Sequence, residues 1–126
     1  METTAKFSIS TKGDVSQLPY TGSFTVKTIL TRREQFLADQ RRREIVGAFA
    51  DGAIPALQSE AFMLGQLFVR IVDSPKFWND SDGGLDLQDY NVIKEIYDKA
   101  ISLQEDQISS LKGKADEAAK KLKADK

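Results

Sequence analysis

Carboxylates, lysines, arginines and hydroxyls are the side chains with which this 126-residue sequence could do acid, base or nucleophilic chemistry, because histidine and cysteine are both absent. The side chain that titrates near neutrality is missing, and so are the thiol nucleophile and the soft metal ligand. Ser-His-Asp triads, Cys-His dyads, thiolate zinc sites and disulfides are excluded by composition alone. Acid pairs remain, at Glu95/Asp98 and Glu105/Asp106. Glycoside hydrolysis needs two carboxyl groups facing each other across a cleft, whereas these pairs fall on polar faces of an expected helix. The run Asp80-Ser81-Asp82-Gly83-Gly84, leading to Asp86, invites a calcium reading. An EF-hand loop requires oxygen ligands at alternate positions, a glycine at the sixth and a bidentate glutamate at the twelfth. With Gly84 as that glycine, Gly83 takes a ligand position and Tyr90 the glutamate's; with Gly83, Trp78 takes the first position. Both registers fail, so the run reads as a polar turn. No cofactor and no metal are expected.

Residues suited to contact are better represented. Arg32, Arg33, Arg41, Arg42 and Arg43 crowd one segment, and Arg70 is the only arginine elsewhere. At about 100° per residue they point all round a helix, and Asp39 sits at pairing distance from Arg42 and Arg43. A nucleic-acid patch would need one face with interleaved aromatics; the pattern fits a salt-bridged helix or a protein interface instead, and arginine in place of lysine favours the interface. Phe36, Leu37, Ile45 and Val46 on the same segment point in four directions, so this helix is expected to be covered on more than one side. Phe36, Leu37, Arg41, Arg42, Arg43 and Ile45 are therefore candidate interface residues. Phe77 and Trp78 join them: they are the only apolar side chains between Pro75 and Leu85, and the expectation is Phe77 inward with Trp78 toward the rim of a contact surface.

The elements that must position these residues follow from periodicity. Phe7 and Ile9, then Phe24 and Val26, alternate with polar neighbours and predict strands within residues 5–30, with turn chemistry at Lys12-Gly13-Asp14 and at Pro19–Gly22. Thr31-x-x-Glu34 is a capping box opening a helix from Thr31 to Val46 before Gly47. A loop with Asp51-Gly52 follows. Pro55 opens a second helix, apolar over most of its circumference with a polar strip of Ser59, Gln66, Arg70 and Asp73, which Ser74-Pro75 ends. A loop over 75–85 leads to Asp86, expected to cap a third helix with Leu85 and Tyr90 as its hydrophobic staple. Beyond Gln104 its stripe narrows to Ile108, Leu111, Ala115, Ala118 and Leu122. The fold class is mainly α with a small N-terminal β unit (α+β): three helices, the last long and extended. One domain over 1–111 carries a lysine-rich helical or frayed tail over 112–126.

Net charge is −1 and the isoelectric point about 5.5, without the basic excess that nucleic acid or an anionic membrane surface attracts. The most apolar stretch, Ala61 to Val72, is broken by Gln66 and Arg70 and falls short of the roughly 20 residues a bilayer span needs. The opening METTAKFSIS has no apolar core of a secretory signal, so a cytosolic site of synthesis and assembly is expected.

The run Leu18-Pro19-Tyr20-x-Gly22-x-Phe24-x-Val26-Lys27, with Leu30-Thr31-x-x-Glu34, Asp39, Arg42-Arg43 and Gly47, resembles small proteins encoded among the tail and virion genes of tailed bacteriophages. Ser74-Pro75-x-Phe77-Trp78 and Gly84-x-Asp86-Leu87-x-Asp89-x-Asn91-Val92 resemble tail assembly chaperones or minor structural proteins. The likeness spans residues 18 to 100 and carries no site chemistry. It implies a non-enzymatic virion structural or tail/capsid assembly protein, working in the virion or the bacterial host cytoplasm. Its partners would be other virion or assembly proteins, itself, or both. The alternative from the residues alone is a cellular helical adaptor or regulatory module with one protein partner.

Overall fold

A computed structural model describes residues 4–47 and 54–124. Strands β1 (Thr4–Lys12) and β2 (Pro19–Lys27) form an antiparallel hairpin in the register Phe7↔Phe24 and Ile9↔Gly22. Alternation sends Phe7, Ile9, Tyr20, Phe24 and Val26 to one face and Lys6, Ser8, Ser10, Thr21 and Ser23 to the other. The first set builds the core; Phe7 and Phe24 stack across the strands at 5.3 Å. The second stays hydrophilic, with the hydroxyls of Ser8 and Ser23 2.9 Å apart. Residues 19–22, expected as a turn, lie inside β2. The reversal is made over residues 13–18, closed by the Gly13 N–H donating to the Leu18 carbonyl.

Helix α1 (Arg32–Gly47) opens on the expected capping box: the Glu34 N–H donates to Thr31 Oγ1, and the Thr31 N–H donates to Glu34 Oε1. Helix α2 (Pro55–Arg70) begins with proline at its first position. The two helices approach closely where Gly65 faces Ala38. A Cβ at Gly65 would stand 2.5 Å from the Ala38 carbonyl oxygen, so only glycine permits this crossing. The loop around Asp51-Gly52 lies outside the described residues.

The second helix is shorter than its sequence suggests. It stops at Arg70, and Ile71–Asp73 becomes a third strand, β3, antiparallel to β2 through Val26↔Ile71 and Thr25↔Asp73 with an irregularity between. Ile71 and Val72 are β-branched, and the unpaired edge of β2 offers hydrogen bonds that a last helical turn before Pro75 cannot match. The sheet order is β1-β2-β3. The expected 75–85 loop contains a short helix, α3 (Lys76–Asp80), so four helices stand among the described residues where three were read.

Helix α4 (Tyr90–Ala124) starts four residues later than the expected cap at Asp86. The Val92 N–H donates to the Asp89 carbonyl, which puts Asp89 at the helix entrance; Leu85 and Tyr90 are both exposed rather than stapled together. Val92, Ile93, Ile96 and Ala100 close over the sheet with Leu64, Leu67 and Trp78 from the intervening segments. At 35 residues α4 is about 52 Å long at ~1.5 Å per residue, and residues 112–123 are all exposed. The architecture is α+β, a three-stranded antiparallel sheet with helices against one face. Among the described residues no helix is long and apolar enough to cross a membrane.

Candidate interaction surface

Two buried polar junctions fix the frame that carries the outer surface. At the first, the fully buried Asp89 carboxylate reaches into the β1–β2 reversal. Its Oδ1 accepts the N–H groups of Val15 and Ser16, each at 2.8 Å, and its Oδ2 accepts the hydroxyls of Ser16 and Tyr20 at 2.5 and 2.7 Å. Gly13 makes room, since a Cβ there would fall 2.3 Å from the carboxylate. Burial pushes the Asp89 carboxyl up, but the hydrogen bonds from Ser16, Tyr20 and Val15 outweigh it and bring the pKa down to about 2.

At the second junction the Arg70 guanidinium, 2% exposed, is held by acceptors from α2, from the segment after β2 and from α4. Its Nε donates to Gln66 Oε1 at 3.2 Å, Nη1 to the Thr28 carbonyl at 3.2 Å, and Nη2 to Gln104 Oε1 at 2.5 Å. The Gln66 amide in turn donates to Gln35 Oε1 at 3.1 Å. The expected polar strip of α2 thus faces inward at Gln66 and Arg70, because this network satisfies their hydrogen-bonding groups away from water. A polar pair four residues apart inside an apolar helix was the available signal, and Gln104, which breaks the stripe of α4, is its distant complement.

With these residues turned inward, apolar side chains of α2 turn outward. Phe68 is 56% exposed, and Phe62 is also exposed. The Arg41 guanidinium lies 4.7 Å from the Phe68 ring centroid. Leu37, Gln40, Arg41 and Glu44 of α1 with Phe68 and Val69 of α2 line a groove of about 390 Å³. A hollow of about 250 Å³ continues from Phe68 past Val72 and over Trp78.

The candidate residues from sequence separate into three groups. Phe36, 74% exposed, and Leu37 stand on the outer side of α1, and Arg41 stands beside them, 3.6 Å from Glu44 and 3.8 Å from Asp82. Arg42 and Arg43 both pair with Asp39, at 2.9 and 3.1 Å. Ile45 turns the other way, packs against the core and, with Val46, Leu57 and Leu85, lines a separate apolar cavity of about 430 Å³. Phe77 is half-buried against Tyr20 and Phe24, with ring centroids 5.1 and 6.1 Å away. Trp78 contradicts its expectation: it is 3% exposed, edge-on to Phe24 at 6.0 Å, and forms the floor of the Phe68 hollow rather than its rim. Helix α3 is the reason, since one helical turn after Pro75 rotates the indole inward.

The arrangement presents a shallow apolar groove edged by the Arg41 guanidinium, suited to a side chain or a helix from another molecule. Comparison of the chain with known protein families, curated proteins and solved structures gives no match.

Proposed function

We propose that the protein is a non-enzymatic interaction protein, a bacteriophage virion structural or tail/capsid assembly component acting in the host cytoplasm or the virion. One observation supports the contact role above the others. Phe36 and Leu37 of α1 and Phe68 of α2 stand exposed, Arg41 lies against the Phe68 ring, and aromatic and arginine side chains are what binding hot spots are made of. The phage context comes from the resemblance of residues 18 to 100.

The test is co-expression with the products of neighbouring genes, followed by size-exclusion chromatography with light scattering. A stable complex with a tail or capsid protein is expected, weakened by about tenfold or more in Phe36→Asp and Phe68→Asp, since each hot-spot side chain carries roughly 1.4 kcal/mol or more. Binding only to a host protein, or a complex indifferent to both substitutions, overturns the reading.

A further inference from the structure

We infer that the outer stripe of α1, with the groove beside it, receives an acidic segment of a partner protein that also carries large apolar side chains. This rests on the contact role proposed above and names the partner's chemistry. Arg32, Phe36, Gln40 and Arg43 follow one another at steps of four, four and three residues, with Arg33 one turn before Phe36, so they share a side of the helix. All five are exposed. Spacing sends the arginines of α1 all round the helix, but packing divides them. Arg41 and Arg42 lie against the body, over Phe68 and beside Gly65, with side chains 19% and 31% exposed. The Arg43 side chain is 66% exposed.

The charges of α1 do not cancel on that outer side. Of its three carboxylates, Glu34 is tied to Lys27 of β2, Glu44 to Arg41, and Asp39 is shared by Arg42 and Arg43. Among the described residues neither Arg32 nor Arg33 has an ion-pair partner. Both occupy the first turn, where the positive end of the helix dipole favours acids, so their placement does not serve α1 itself. Two unpaired guanidinium groups, and a third that shares its carboxylate, therefore lie on the same side as Phe36, the most exposed large apolar side chain among the described residues. Guanidinium groups recognise carboxylates through paired, charge-assisted hydrogen bonds.

The groove supplies the other half of the recognition. Gln40 belongs to the stripe and also lines the groove with Leu37, Phe68 and Val69. A segment whose carboxylates lie along the arginines thus has its apolar side chains within reach of that groove. A nucleic acid would answer the arginines but bring no aliphatic group to Leu37 and Val69, and a net charge of −1 gives no long-range attraction for a polyanion. Complementary charge then sets register and encounter rate, while the apolar contacts hold the complex.

The test is fluorescence anisotropy of four labelled probes titrated with the full chain: a peptide of alternating glutamate and leucine pairs, the same peptide with lysine for glutamate, poly-L-glutamate and oligothymidylate. The glutamate–leucine peptide should bind saturably and most tightly, with affinity falling as salt rises. Arg32→Glu combined with Arg33→Glu should weaken it by about tenfold or more. The melting temperature of that double variant should hold or rise, because glutamate suits the first turn of a helix, so lost binding is not lost fold. Phe68→Ser should weaken the glutamate–leucine peptide and leave poly-L-glutamate unmoved. Equal binding of the lysine peptide, tighter binding of oligothymidylate, or an affinity indifferent to the double variant overturns the inference. So does a self-associated chain that the double variant makes monomeric, since the occupant would then be a second copy. A virion partner that responds to Phe36→Asp and Phe68→Asp, but not to the double variant or to salt, leaves the proposed function standing and removes this inference alone.

Discussion

At the Asp89 junction, two backbone N–H groups and two hydroxyls from the hairpin converge on one carboxylate that water does not reach. On the outer side of α1, a phenylalanine and a leucine stand in solvent with arginines beside them. The first region places polar groups where apolar ones are ordinary, and the second does the reverse. Both inversions are costly unless something offsets them: complete hydrogen bonding in the first case, a partner in the second. Position in the fold thus says more about a residue's task here than its chemical type does.

Several substitutions, an acid titration and a truncation test that contrast. Trp78→Ala should have the largest effect, about 3–5 kcal/mol of stability, because it empties the contact with Phe24 and Gly84. Denaturant unfolding measures it. The native indole should emit at a blue-shifted wavelength that assembly leaves unchanged, and a red-shifted maximum would put Trp78 back on the surface.

Asp89→Ala should lower the melting temperature by about 10 °C or more, since it strands the Val15, Ser16 and Tyr20 donors. The same junction gives a pH dependence. Its folded pKa of about 2 lies below the ordinary 3.8, so its contribution is present above about 4 and is lost as pH falls through about 2. The wild type should lose stability over that acid window more steeply than Asp89→Asn, as acid-titrated circular dichroism would record. Parallel curves would show that the carboxylate does not hold the turn.

Phe36→Ser and Leu37→Ser should move stability by no more than about 0.5 kcal/mol, as surface changes do, while weakening partner binding. A large loss of stability would assign both to packing within the chain. Ending the chain after Leu111 should have the smallest effect on a dilute sample, leaving the melting temperature nearly unchanged, because residues 112–123 bury nothing.

Local signals were legible wherever the physics was local. Thr31 and Glu34 satisfy each other's backbone over three residues, so the start of α1 could be read from four letters. Alternation in Phe7–Ile9 and Phe24–Val26 gave the two long strands for the same reason. The missing features all depend on partners far along the chain. Ile71–Asp73 is a strand because β2 offers an edge to it, and Asp89 outranks Asp86 because the hairpin reversal presents the Val15 and Ser16 N–H groups to it. In the candidate surface, Phe36, Leu37 and Arg41 could be picked out as misfits on a helix, but Phe68 could not. Its exposure follows from Gln66 and Arg70 facing inward.

The sequence by itself determined the α+β class, the hairpin, the opening of α1 and the chemistry that lacks imidazole and thiol, because composition, period and capping act within a few residues. Tertiary structure decided which polar groups could be buried and hence which apolar ones were left outside. Arg70 is inside only because Gln66, Thr28 and Gln104 meet there, and Trp78 only because α3 turns it toward Phe24. A buried charge or ring is stabilised by neighbours brought from 30 or more positions away along the chain, and their arrival is a property of the fold as a whole.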